Sequence, residues 1–299
     1  VLELAIALTD LDWAIPEDSM GKTPLVLLHG YYHGAWCWTD VVVELAAGGR
    51  AAVPVDMAGH GLKARRPRSA TARPFDEAAL ATETSPIGAI DLNAAAALLI
   101  EQILKIGRGA PTTVVAHSMG GAVLTRAGEM APELMAHLVY LTAYMPASDT
   151  PCLAYVSLPE AAASVFMPLV CGDPMVTGAM RIDPHSVDPA RHERLVQAFY
   201  GDVERNAAEA AIALLGCDAP TPTATQATTL TAKGWGAIAR TYVMCTQDQT
   251  IPLALQRLFI RQADDAFPDN PTKVESLEAA HSPFLSMPGR VAEVLAALP

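Results

Sequence analysis

Ser118 stands in the run AHSMGGAV (116–123), between Ala116 two places before it and Gly120 two places after, with Gly121 following. The residues before it, TTVV, are apolar or β-branched and fit a buried strand, whereas those after it are small and fit the start of a helix. A chain that leaves a strand and enters a helix within one residue forces the turning residue into a sparsely populated backbone region. Its neighbours must then be small, so that strand and helix can pack. This is a G-x-S-x-G elbow with Ala in its first place, a turn that presents a serine hydroxyl for attack. The plainer alternative is a serine capping a helix.

A hydroxyl is a weak nucleophile and needs a base, and the base needs an orienting acid. His281, in EAAHSPF, follows the last expected strand, and Asp248, in CTQDQTIP, follows the one before it. Positions 118, 248 and 281 give the order serine, acid, histidine. Asp149, near the end of an earlier strand, is the alternative acid. A tetrahedral oxyanion also needs two N–H donors. Met119, directly after the serine, supplies one, and Tyr31, in the loop after LVLLHG, the other; Gly30 lets that loop turn close to the site. His29, His60 and His117 are expected to be structural, with the His117 side chain pointing away from Ser118. His33, in the oxyanion loop, is a candidate substrate contact, as are Gly30, Phe166 and Met167.

These residues must be held by alternating strands and helices. TPLVLLHG (23–30), RAAVPV (50–55), PTTVVAHS (111–118), MAHLVYLTAYMP (135–146), the run opening GAIARTYVMC and TKVESL read as strands. Helices are expected over 35–49, 87–107, from Met119 to Pro132, over LALQRLFIRQA and over GRVAEVLAALP. This alternation implies an α/β fold with a mostly parallel central sheet flanked by helices and right-handed crossovers. From 147 to 238 no strand stands out, and the segment reads as a helical cap inserted into a core formed by 1–146 and 239–299. Within it, APTPTATQATTLTA (219–232) reads as a surface linker.

Of the 299 residues, 51% are apolar and 17% charged, enough for a large core. A net charge of −12 argues against nucleic acid and anionic membrane surfaces as partners. No apolar run reaches membrane-spanning length, and VLELAIAL, at the start, is too short and too interrupted for a secretory h-region. A cytoplasmic location is expected, with an exported form left open because the chain opens on Val1. None of the five cysteines forms a C-x-x-C pair, so neither zinc nor redox chemistry is indicated. Reduced thiols are expected, with a disulfide among Cys152, Cys171 and Cys217 as the alternative in an exported protein. No metal or cofactor is required, and the protein is expected as a monomer or homodimer.

With LLHGYYHGAWCW, AHSMGGAV, CTQDQTIP and AAHSPFLSMP in place, the chain resembles the α/β-hydrolases. More narrowly, it is similar to the branch holding plant hydroxynitrile lyases, salicylate and jasmonate methylesterases and related bacterial carboxylesterases. The run His33-Gly34-Ala35-Trp36, with Trp38, is the most specific sign. The resemblance covers roughly 20–145 and 239–299, and the insertion matches it in position only. It implies a serine esterase acting on a small-molecule ester, of small to medium size and apolar or aromatic. Lyases of the branch carry Thr after the His of the first motif and Lys after the catalytic His; here Gly30 and Ser282 stand there, which favours ester hydrolysis. The other readings are a lyase, a cofactor-free oxidoreductase, and a ligand-binding member without turnover.

Overall fold

A computed structural model describes residues 23–299, so VLELAIAL lies outside the described residues. The main sheet contains β1 (Leu25–Leu28), β2 (Ala52–Val55), β3 (Thr112–Ser118) and β4 (Met135–Ala143). After a small antiparallel pair, β5 (Ala179–Arg181) and β6 (Asp218–Pro220), it continues with β7 (Arg240–Cys245) and β8 (Lys273–Leu277). Its order is β2-β1-β3-β4-β7-β8, every neighbour pair parallel.

Both faces are covered. Side chains alternate across a strand, and here Leu25, Leu27, Val115, Val139 and Val243 enter one core while Val26, Leu28, Val114, Leu138 and Tyr242 enter the other. That double burial is why these strands are almost continuously apolar. The helices are α1 (Thr39–Ala47), α2 (Glu77–Thr82), α3 (Leu92–Gly107) and α4 (Gly120–Met130), then α5 (Pro174–Thr177), α6 (Pro189–Tyr200), α7 (Arg205–Ala213) and α8 (Thr221–Thr225). The chain ends with α9 (Leu253–Ala266), α10 (Pro283–Ser286) and α11 (Pro288–Ala296). Residues of α1, α10 and α11 fill the first core; those of α3, α4 and α9 fill the second.

Three expectations need correction. The helix read as 87–107 starts at Leu92, because the Asp91 carboxylate accepts the Ala94 N–H and caps it there. Residues 35–38 form a 3₁₀ turn ahead of α1. The stretch 219–232 is not a surface linker throughout: its first part forms the end of β6 and all of α8, with Thr221, Thr223 and Ala224 buried. The threonines tolerate burial because their hydroxyls donate to backbone carbonyls, Thr223 to Pro220 at 2.8 Å and Thr221 to Pro174 at 3.0 Å.

The segment between β4 and β7 adds Tyr155, Leu169, Met180, Leu195, Phe199 and Ile212 to the second core. It is pinned by Arg181, whose Nε and Nη2 donate to the two Asp218 oxygens at 2.5 and 2.8 Å. Its Nη1 donates to the carbonyls of Leu80 and Glu83, at the end of α2. Removing one partner of a buried pair strands the other charge. Arg181→Met is therefore expected to cost about 3–5 kcal/mol in urea unfolding, and the double change with Asp218→Leu to recover most of it. A single-variant loss below about 1 kcal/mol would show the pair to be incidental.

Candidate active site

Ser118 ends β3 at φ 52°, and Met119 has returned to helical angles where α4 begins. A left-handed conformation at a residue with a side chain costs roughly 1–3 kcal/mol, so the surroundings must hold it. They do so by close approach. The Tyr144 N–H donates to the Ser118 carbonyl at 3.0 Å. A Cβ added at Gly121 would lie 2.1 Å from the Tyr144 oxygen, and one at Gly30 would lie 2.5 Å from the Ser118 Cβ. Glycine at these two positions lets the end of β4 and the loop after β1 close on the serine.

The Ser118 Oγ lies 3.1 Å from His281 Nε2, and His281 Nδ1 lies 2.7 Å from Asp248 Oδ2. All three residues are buried. The Asp248 carboxylate is saturated: Oδ2 also accepts the Thr142 hydroxyl, and Oδ1 accepts the N–H groups of Thr250 at 2.7 Å and Ile251 at 2.9 Å. A carboxylate so held is an acceptor, which orients the imidazole with its proton on Nδ1 and leaves Nε2 free to take the serine proton. Thr142 escaped the sequence reading. Its positive φ of 35°, two residues before the Tyr144 contact, has no counterpart in residue type. Asp149 is elsewhere, accepting from Thr229 and Ser148.

Tyr31 and Met119 stand beside Ser118 on the wall of one cavity. Among the described residues, neither backbone N–H is bonded to an acceptor. The loop that carries Tyr31 is fastened to the segment between β4 and β7 at four places. The Tyr31 hydroxyl meets Thr223 and the Pro220 carbonyl, and the Tyr32 hydroxyl donates to the Met180 carbonyl. The Gly216 N–H donates to the Tyr32 carbonyl at 2.7 Å, and the Tyr200 hydroxyl donates to His33 Nε2 at 2.9 Å. The inserted segment thus braces the loop rather than hanging free over it.

Four histidines surround the site as neutral buried rings. His29 Nδ1, His33 Nδ1, His60 Nδ1 and His117 Nε2 each face a backbone carbonyl, of Gly30, Tyr31, Ala58 and His281 respectively. A carbonyl only accepts, so each of these nitrogens carries the proton. The other nitrogen of His29 accepts the Met57 N–H and that of His33 the Tyr200 hydroxyl, so both are unprotonated. His29 also lies 3.7 Å from Asp56, yet that nitrogen already accepts an N–H and forms no ion pair there. Desolvation pushes His33 down to about 3 and His60 to about 4, and puts His29 and His117 well below the ordinary histidine value. His117 is bonded to the carbonyl of His281, their ring centroids 4.6 Å apart, and so holds that backbone.

The cavity is lined by Tyr31, Tyr32, Ser118, Met119, Phe166 and Phe199, with Tyr144, Cys152, Leu153, Val156, Met180, Ala224 and Thr250 around them. Among the described residues, no lysine, arginine or carboxylate is on its wall. Of the four expected substrate contacts, Phe166 lines it. Gly30 packs against Ser118, His33 is buried in the loop after β1 with both nitrogens engaged, and Met167 begins a 3₁₀ turn off the wall. The lining residues missed from sequence come mostly from the inserted segment, where no motif marks which apolar side chains turn inward. All five cysteines are free and buried. Among the described residues, no helix is long and apolar enough to cross a membrane.

Comparison with known proteins agrees with this architecture. The model of the alpha/beta hydrolase family matches residues 25–294. Methylesterase 9 of Arabidopsis thaliana is 26% identical over 277 residues, covering 90% of this chain and 95% of the relative. A pyrethroid hydrolase of Sphingobium wenxiniae is 27% identical over 282 residues, covering 93% and 88%. Among solved structures, a pyrethroid hydrolase from Sphingobium faniae superposes with a TM-score of 0.70 at 24% identity, covering 92% of this chain and 96% of that one. Polyneuridine aldehyde esterase does so at 0.66 and 20% identity, covering 92% and 98%. With a sheet, an elbow serine and a family match that all run through the same residues, the chain belongs to the alpha/beta hydrolase family.

Proposed function

We propose that this carboxylic ester hydrolase works through an acyl-enzyme on Ser118 and takes small to medium apolar or aromatic esters. The observation that carries the reading is the chain of contacts from Ser118 Oγ through His281 to Asp248, opening into an apolar cavity. His281 removes the serine proton as Oγ attacks the ester carbonyl. Asp248 holds the imidazole and stabilises its charged form. The Tyr31 and Met119 N–H groups donate to the carbonyl oxygen as negative charge develops on it. His281 then returns the proton to the leaving alcohol, and water repeats the sequence on the acyl group. Residues 147–238 form the cap that shapes the pocket, the core being, among the described residues, 23–146 and 239–299. The relatives named for methyl esters and for pyrethroids support an ester substrate.

A lyase reading is disfavoured by the wall itself. An anionic leaving group such as cyanide would enter an apolar cavity with no cationic side chain on it. The test is steady-state hydrolysis of p-nitrophenyl butyrate and methyl benzoate, with labelling by a fluorophosphonate. Turnover of either ester and one label per chain, mapped to Ser118, is the expected result. Mandelonitrile cleavage without ester turnover would overturn it in favour of the lyase.

A further inference from the structure

The cavity wall carries six side chains with an O–H or S–H group besides its apolar residues, and four of these are engaged. Ser118 faces His281; the Tyr31 hydroxyl is bonded to Thr223 and Pro220, that of Tyr32 to Met180, and that of Thr250 to the Ala198 carbonyl. Two remain. Among the described residues, neither the Tyr144 hydroxyl nor the Cys152 thiol has a hydrogen-bond partner, and both line the cavity.

Tyr144 is held firmly. Its N–H is tied to the Ser118 carbonyl, and its ring packs on Phe259 at 5.4 Å, which in turn meets Tyr155 at 4.9 Å. A ring so packed does not swing out to find a partner. Burial pushes its pKa up, with the Cys152 thiol adding to the rise, so at neutral pH the phenol is protonated and donates. Tyr144 is half-buried, so in the open cavity its hydroxyl meets water, and a substrate that displaces that water leaves the donor unpaired unless it brings an acceptor of its own.

We propose that Tyr144 is a specificity-determining residue: its hydroxyl donates to a neutral acceptor on the substrate, a ketone, ether or second ester oxygen remote from the scissile carbonyl. The substrate class is then an apolar ester with one such oxygen, not a plain hydrocarbon ester. The inference rests on the esterase reading above. A neutral acceptor is selected over a carboxylate because no cation lines the wall to offset the burial of a charge. A site that bonds a substrate oxygen discriminates against the analogue that lacks it, because the donor is then left unpaired.

The experiment compares kcat/KM for two matched pairs in the wild type and in Tyr144→Phe. Methyl levulinate against methyl isocaproate varies the acyl half, a ketone oxygen replacing a methyl. Methoxyethyl butyrate against butyl butyrate varies the alcohol half, an ether oxygen replacing a methylene. In at least one pair, the preference for the oxygen-bearing ester is expected to fall by about fivefold to twentyfold in Tyr144→Phe, with the hydrocarbon ester hydrolysed as fast or faster. Equal changes on both members of each pair, or none, would overturn the proposal and leave the esterase reading intact. Failure of the wild type to hydrolyse any of the four, with no fluorophosphonate label on Ser118, would remove the esterase reading and the proposal with it.

Discussion

Ser118→Ala is expected to lower kcat for p-nitrophenyl butyrate by about 10⁴-fold or more while leaving the unfolding midpoint almost unchanged. The two halves of the result have separate causes. On the proposed mechanism, activity falls because the substitution removes Oγ, the atom that faces His281 Nε2 at 3.1 Å. What survives is the contribution of the oxyanion donors and of binding, which alone give a modest rate over water. Stability stays because alanine meets the same left-handed penalty at φ 52° that serine does. Ser118→Gly separates the two. It should abolish activity equally but gain roughly 1 kcal/mol in urea unfolding, since glycine carries no penalty at positive φ. A loss of activity below about tenfold in Ser118→Ala would move the nucleophile elsewhere.

How much of this was legible in the sequence depended on how local each signal is. The elbow is a string of adjacent residues whose sizes are dictated by one turn, so Ala116, Ser118, Gly120 and Gly121 declare it together. His281 and Asp248 could be placed because each ends a strand in a known order. Asp149 could not be dismissed from sequence alone: only the fold shows it bonded to Thr229 and Ser148, with the His281 contact going to Asp248.

The inserted segment was opaque for the opposite reason. β5 and β6 have three residues each, too few for an alternating pattern to register. Thr221 and Thr223 look like linker residues by composition, and become core because their hydroxyls find carbonyls 47 residues back or in the preceding turn. His33 lies in the right loop for a substrate contact, but which way its ring turns depends on Tyr200, 167 residues away in sequence.

The buried histidines make a prediction that the catalytic residues do not. In the folded chain His29, His33, His60 and His117 are neutral, their pKa values lowered by desolvation. In the unfolded chain each returns to an ordinary value near 6.5. Below that pH the unfolded state therefore binds more protons than the folded one, and stability is lost as pH falls. The window opens near 6.5 and extends down to about 4 for His60 and about 3 for His33. Each fully neutral ring gives up on the order of 1 kcal/mol between pH 7.5 and 5.5, and the four together several. That is a large share of the stability of an ordinary domain. Asp56 and Asp218 favour protonation of His60 and reduce its share, so the figure is an upper one. Urea titrations at pH 7.5, 6.5 and 5.5 should thus show the midpoint falling steeply. His137 on β4, lowered to about 4 by desolvation, adds a fifth ring, so the slope at pH 5.5 should correspond to uptake of about four to five protons on unfolding. Uptake of fewer than one would mean that these rings are already charged in the fold. Their four carbonyl hydrogen bonds, which leave the second nitrogen of His29 and His33 as an acceptor, would then have to be redrawn.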